Sequence, residues 1–304
     1  MKILGFTGYR IKMTTNLMKR VCVTGGAGFI GSYVVDNLIE RGIKPVVFDH
    51  LGRKPREDCD IFLGDTRDYT AVSEAVATCD GVIHLAGVLG TQETISKPQP
   101  SVETNIIGGL NVFEAVRHYK IPAVYIAVGN HWMNNSYSIT KTTAERFALM
   151  YNKEHGTKIA VVRGLNAYGP RQKHHPVRKI MPNFILPALK GEEITVYGNG
   201  EQIMDMIYVA DLAEILVRAL LNDHGVYDRA FEAGTGRKTS VKFIAEEVIR
   251  QVGNGSVKYV PMRPGEAENS VVLADVETLI PLGEMKMTAL EEGIAITVPY
   301  FKNL

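Results

Sequence analysis

The chain has 304 residues, 45% of them apolar and 22% charged, with a net charge of +1. With no basic stripe and no acidic tail, this balance excludes a dedicated nucleic-acid binder or a membrane-surface protein. No apolar run approaches the length of a membrane span, and three sparse cysteines (Cys22, Cys59 and Cys79) lack metal-ligand spacing. The expectation is therefore a metal-free protein with reduced thiols in a reducing, cytoplasmic setting.

Residues 1–17 lack the apolar core and cleavage site of a signal peptide, and Met18 reads as a natural start, so they are expected to be a loose N-terminal extension. From residue 20 short apolar runs alternate with helical patterns. Strands are expected at VCVT (21–24), PVVFD (45–49), IFLG (61–64), GVIHLAG (81–87), AVYIAV (123–128) and KIAVVR (158–163). Helices are expected near 28–41, 69–77, 101–118 and 136–154. Buried four-to-six-residue runs alternating with amphipathic helices imply a parallel sheet covered on both faces, a doubly wound α/β core.

After residue 165 Pro and Gly break the rhythm, until YVADLAEILVRAL (208–220) reads as a helix and RAFEAGTG (229–236) as a strand and turn. The expected division is 18–165 with 205–236 for the sheet domain, and 166–204 with 237–304 for a smaller C-terminal α/β substrate lobe.

VTGGAGFIGS places Gly25, Gly28, Phe29, Ile30 and Gly31 between the first strand and its helix. The first glycine permits a tight turn, the second lets backbone approach a pyrophosphate, and the third lets helix and strand pack closely. Asp49, ending the second strand, suits the ribose hydroxyls of an adenosine and disfavours a 2′-phosphate. NAD is thus the expected cofactor of a Rossmann-type domain, although Arg53 is a residue a 2′-phosphate would want. Asp65, in LGDTRD with Thr66, is either a partner for the adenine amine or a helix cap.

Tyr137 and Lys141 stand one helical turn apart after the fifth strand. An ammonium on the same helix face is expected to lower the phenol pKa from about 10 and make Tyr137 a general base for a substrate hydroxyl.

Here the chain resembles the extended short-chain dehydrogenase/reductases, particularly the nucleotide-sugar epimerases and dehydratases. The likeness runs from about residue 19 to the end, through TGGAGFIGS, Asp49, Gly64-Asp65, HLAG (84–87), TNIIGGLNVFEAV (104–116), Tyr137-Ser-Ile-Thr-Lys141, RGLNAYGPRQ (163–172), VYGNGEQ (196–202), YVADLAE (208–214), AGTG (233–236) and RPGE (263–266). The resemblance implies that Leu85, Ala86 and Gly87 line the cofactor and that Asn105 sits in the cofactor-side helix. It further implies that Tyr137 and Lys141 carry the chemistry, and that Asn166 and Arg263 hold a nucleotide-diphosphate sugar. It implies a homodimer through a four-helix bundle of the helices near 101–118 and 136–154.

Three departures from the family pattern stand out. Ala127-Val128-Gly129 replaces the usual Ser-Ser or Ser-Thr at the end of the fifth strand, and only seven residues separate Gly129 from Tyr137. Asn130 and His131 then occupy the place of the dehydratase acid/base pair, with His131 either a proton carrier near neutral pH or a loop residue. Trp132 either stacks on substrate or plugs the shortened loop. Finally, Met204 stands where a phosphate-binding arginine is usual, with Arg171, Arg178 or Lys179 as candidate replacements. The resemblance implies an NAD-dependent nucleotide-sugar epimerase, most simply at C4. A 4,6-dehydratase or reductase, or a binding protein without turnover, are the alternatives.

Overall fold

The structure, a computed structural model, describes residues 18–52, 54–175, 177, 179–263 and 269–304. The N-terminal extension, Arg53, Arg178 and the Pro-Gly-Glu of the RPGE motif lie outside the described residues.

The first half builds β1 (Arg20–Thr24), α1 (Phe29–Glu40), β2 (Lys44–Asp49), β3 (Asp60–Leu63), α2 (Tyr69–Val76) and β4 (Gly81–His84). A short α3 (Gln99–Ser101) runs through a π-helical segment, Val102–Ile107, into α4 (Gly108–Tyr119); β5 (Ala123–Val128), α5 (Ser136–His155) and β6 (Ile159–Gly164) follow. The second half adds β7 (Asn166–Tyr168), α6 (Ile180–Leu189), β8 (Glu193–Tyr197), β9 (Ile203–Met204), β10 (Met206–Tyr208), α7 (Val209–Leu221), β11 (Ala230–Ala233), β12 (Thr239–Ser240), α8 (Val241–Val252), β13 (Ser256–Val260), β14 (Val271–Val272), a 3-10 segment at Val276–Leu282, and α9 (Leu290–Lys302).

Seven strands form one parallel sheet in the order β11-β6-β5-β4-β1-β2-β3. Its central strands are continuous apolar runs because both faces are covered; every residue of β5 is buried. Alternation along each strand divides two cores. Val21 and Val23 join α1 and α7 through Val34, Leu38, Leu212 and Leu216. Cys22 faces the other way, among Val72 of α2, Phe113 of α4 and Ala144 of α5. All three cysteines are buried free thiols. Strand order reverses between β1 and β4, and the crevice at such a reversal is where an open α/β sheet binds ligands.

The remaining elements pack α6, α8 and α9 over short strand pairs, around Phe184, Ile185, Ile194, Ile244 and Ile294. β10 belongs to both bodies: Met206 and Tyr208 point into this second core while Ile207 points into the sheet's. Asp205, fully buried beside it, accepts bonds from the Thr235 amide and hydroxyl (2.8 and 2.7 Å) and from the Gly236 and Ala274 amides (2.8 and 3.2 Å). Two distant segments are thereby tied to one carboxylate. Among the described residues no helix is long and apolar enough to cross a membrane.

Candidate active site

The turn from β1 to α1 is shaped by what a side chain would strike. Gly25 has φ +69°, and a Cβ there would lie 2.8 Å from the Ala86 amide nitrogen; one on Gly31 would run into the Gly25 carbonyl oxygen. Gly28 is the N-cap of α1, with no capping side chain and no acid in the first turn. The first-turn N–H groups, at Phe29 and Ile30, are therefore left for an anion. Asp49 is buried and braces this loop, one carboxylate oxygen accepting from the Ala27 amide (3.1 Å) and the other from the Leu51 amide (2.9 Å). A loop that only glycine can form, backed by an acid at the next strand end, fits a dinucleotide.

On the far side of the crevice Thr24 holds the strand that carries Leu85, Ala86 and Gly87. Its hydroxyl accepts from the Leu85 and Ala86 amides, each at 3.2 Å, and sits 2.6 Å from His84 Nδ1. With both amides donating to it, the hydroxyl gives its own proton to that nitrogen. Burial, with the Lys141 charge adding to it, pushes the His84 pKa down to about 3, so the imidazole stays neutral.

Asn105 lies beside Gly87 and is fully bonded within the protein. Its oxygen accepts from the Val88 amide (2.8 Å), and its nitrogen donates to the Val88 carbonyl (3.1 Å) and to Thr140 Oγ1 (3.0 Å). It staples the loop after β4 to α5, from a π-helical segment of the kind that recurs at functional sites. Thr66 is likewise buried, its carbonyl held by Asn111 (2.9 Å). Asp65 is not the cap of α2; Asp68 is, accepting from the Thr70 and Ala71 amides. The Asp65 carboxylate instead pairs with Arg67 at 2.7 Å, which holds its pKa low.

Asn135 caps α5, accepting from the Ser138 amide at 2.9 Å, which places Tyr137 in the first turn and Lys141 one turn further on. The sequence reading took no account of that cap. Lys141 is buried, and its Nζ lies over the Tyr125 ring, 4.3 Å from the centroid. The expected acidification of Tyr137 is absent here: burial pushes the phenol up to about 12. Burial also pushes Lys141 down to about 7, against an upward pull from Glu145. Each group is held from water, and for Lys141 that loss outweighs the pull of the Glu145 carboxylate.

The turn after β5 is put together differently. Asn130 donates to Met133 Sδ (3.4 Å), and His131 Nδ1 lies 3.3 Å from the Gly129 carbonyl. Thr142 of α5 donates to the His131 carbonyl (3.3 Å), which pins the turn to the helix. Among the described residues no hydrogen bond joins Asn130 or His131 to Tyr137. Trp132 is 49% exposed and plugs nothing. A Cβ on Gly129 would collide with Leu165 Cδ1, so a leucine stands where the usual hydroxyl would go.

Asn166 donates to the Asp205 carbonyl (3.1 Å) at the junction of the two bodies. Arg171, at φ +67°, pairs with Asp36 of α1 (2.7 Å) and lies over Tyr33, clasping the lobe to the cofactor helix. Met204 packs against the lobe core. Arg263 lies over the Tyr197 ring, 5.1 Å from its centroid. Lys179 is near enough for Arg263 to depress its pKa, after burial and against the pull of Glu93. Two cations thus gather at one end of the lobe. No group of His, Cys, Asp and Glu among the described residues is arranged to hold a metal ion.

Comparison with known proteins agrees with this geometry. The NAD dependent epimerase/dehydratase family matches residues 21–234. A putative UDP-glucose 4-epimerase of Methanocaldococcus jannaschii is 29% identical over 93% of this chain and 98% of its own length. A UDP-N-acetyl-alpha-D-glucosaminuronate decarboxylase of Bacillus cytotoxicus is also 29% identical, over 80% of this chain and 83% of its own. The crystal structure of the UDP-glucose 4-epimerase of Thermus thermophilus in complex with NAD superposes with a TM-score of 0.82 at 30% identity, covering 93% of this chain and 98% of that one.

Proposed function

The chain belongs to the NAD-dependent epimerase/dehydratase family, and on that premise we propose that it is a nucleotide-sugar 4-epimerase, with a UDP-sugar as substrate. The observation that carries the reading is Tyr137 and Lys141 one helical turn apart at the capped start of α5, in the same fold as a glycine loop that opens α1 with free first-turn amides.

Gly25, Gly28 and Gly31, the first-turn amides, Asp49, Asp65 and the Leu85–Gly87 backbone hold NAD. Bound there, it supplies a reversible hydride acceptor. Tyr137 takes the proton from the C4 hydroxyl and returns it after the sugar turns over as a 4-keto species. Its phenol, at about 12 in the closed site, gains acidity from the Lys141 ammonium once a cationic ring is also present. Asn166 contacts the sugar nucleotide, and Arg263 grips the diphosphate, where a planar cation suits paired oxygens. Lys179 supplies the charge absent at Met204. Inversion needs no acid/base pair beyond the phenol, so it tolerates the Asn130–His131 turn.

A second reading, loss of carbon dioxide from the same keto sugar, is supported by the equal identity to the decarboxylase, and a related elimination of water would require His131 as proton carrier. Incubation with UDP-glucose, UDP-N-acetylglucosamine and UDP-glucuronate, followed by proton NMR, separates the two: an inverted C4 coupling supports epimerisation, and loss of water or carbon dioxide overturns it. Tyr137→Phe is expected to lower turnover by about 10²–10⁴-fold while NAD binding persists.

We further propose a homodimer through the helix formed by the π-helical segment with α4, and through α5, where Val102 and Ile107 on the first and Ile139 and Met150 on the second are exposed apolar side chains. Light scattering at twice the chain mass is the expected result.

A further inference from the structure

Behind the reacting pair lies a group of charges, buried at Glu145 and half-buried at Arg163 and Glu232, that the proposed chemistry does not use. Glu145 sits one helical turn beyond Lys141 on α5, and both are 3% exposed. Glu145 is gripped from the sheet by Arg163 of β6, whose Nε lies 3.2 Å from each carboxylate oxygen and whose Nη2 lies 2.7 Å from Oε1. The other arm of Arg163 reaches Glu232 of β11 at 3.0 Å. Glu232 in turn accepts from the Asp275 amide (2.8 Å), and its own amide donates to Thr278 Oγ1 (2.9 Å).

The charges in this group do not cancel: two carboxylates face one guanidinium, leaving one negative charge over. Glu232 reaches water, whereas Lys141 and Glu145 do not, and a charge held from water is costly unless a counter-charge stands near. The neighbours of Lys141 offer no other anion. His84 from β4 is neutral, Tyr125 from β5 is held protonated by burial, and Tyr137 on the same helix is protonated at rest. Among the described residues Glu145 is the one anion acting on Lys141.

We propose that Glu145 is the positioning residue for the Lys141 charge: fixed by Arg163, its carboxylate keeps the ammonium protonated where burial would otherwise strip it. This rests on Tyr137 and Lys141 being the reacting pair, but not on which sugar is turned over. A purely structural tie between helix and sheet would hold the backbone in the same way without setting the lysine's charge, and that difference can be measured.

The NAD-loaded protein, labelled with 13C at lysine Cε, is titrated by NMR, with the Lys141 resonance identified by its loss in Lys141→Arg. In Glu145→Gln the Lys141 midpoint is expected to fall by about one pH unit or more, and in Arg163→Gln, which leaves the carboxylate unneutralised, to rise. Glu145→Asp, which keeps the charge, returns the midpoint to within a few tenths of a unit of the wild type. Midpoints that stay put, or that move the same way in the Gln variants, overturn the proposal. If Glu145→Gln does not fold, the absence of a rise in Arg163→Gln overturns it alone. Because the readout is a proton on lysine, it stands or falls separately from the epimerase assay.

Discussion

The two sides of α5 are built on different terms. Toward the cofactor, every contact that shapes the crevice is backbone, glycine or buried side chain: Gly25 against Ala86, Asp49 under the loop, Thr24 under Leu85 and Ala86. Toward the substrate, the turn at Asn130–Met133 bonds mainly within itself, Trp132 faces solvent, and a leucine fills the place of a hydroxyl. A ligand shared by a whole family can be held by main-chain geometry, which changes slowly. A ligand that varies among relatives is held by side chains on short turns, where one substitution alters the fit.

If that contrast is sound, the cofactor side should be the more brittle. Gly31→Ala drives a methyl group into the Gly25 carbonyl; it is expected to weaken NAD binding by roughly a hundredfold, about 2.8 kcal/mol, by titration calorimetry. Gly129→Ser is expected to cost about 1–3 kcal/mol in a urea melt by crowding Leu165, with much of that recovered when Leu165→Ala is added. A loss left intact in the double variant would show that something other than Leu165 closes the space. His131→Ala should change turnover by less than about threefold, since a general acid or base is worth about 10²–10⁴. A drop of that larger size would place His131 in the chemistry and favour elimination.

Much of the sheet domain was legible because its signals are local. Buried strands such as AVYIAV are continuous apolar runs whatever surrounds them, and Gly25, where a Cβ would strike the Ala86 amide, has no room for a side chain. The spacing of Tyr137 and Lys141 was legible for the same reason. Their protonation was not, because it depends on water lost when β4, β5 and α5 come together, and no spacing records that loss. The partners of Asn105 were not legible, because Val88 and Thr140 lie 17 and 35 positions away. The cap of α2 is Asp68, directly before the helix start expected at 69, and Asp65 lies three positions too early for it. Leu165 carries no mark of its place beside Gly129. A signal for Glu145 was present, an acid four positions after Lys141 on a helix that otherwise buries small residues, but its partner Arg163 is supplied by the next strand.

The short strand β10 has a mechanical consequence. With Met206 and Tyr208 seated on one side and Ile207 on the other, three successive residues rivet the lobe to the sheet. Any wholesale swing of the lobe would pull an apolar side chain into water. The lobe is therefore a fixed wall and not a jaw, and accommodation of differently sized sugars falls to the turns along its rim.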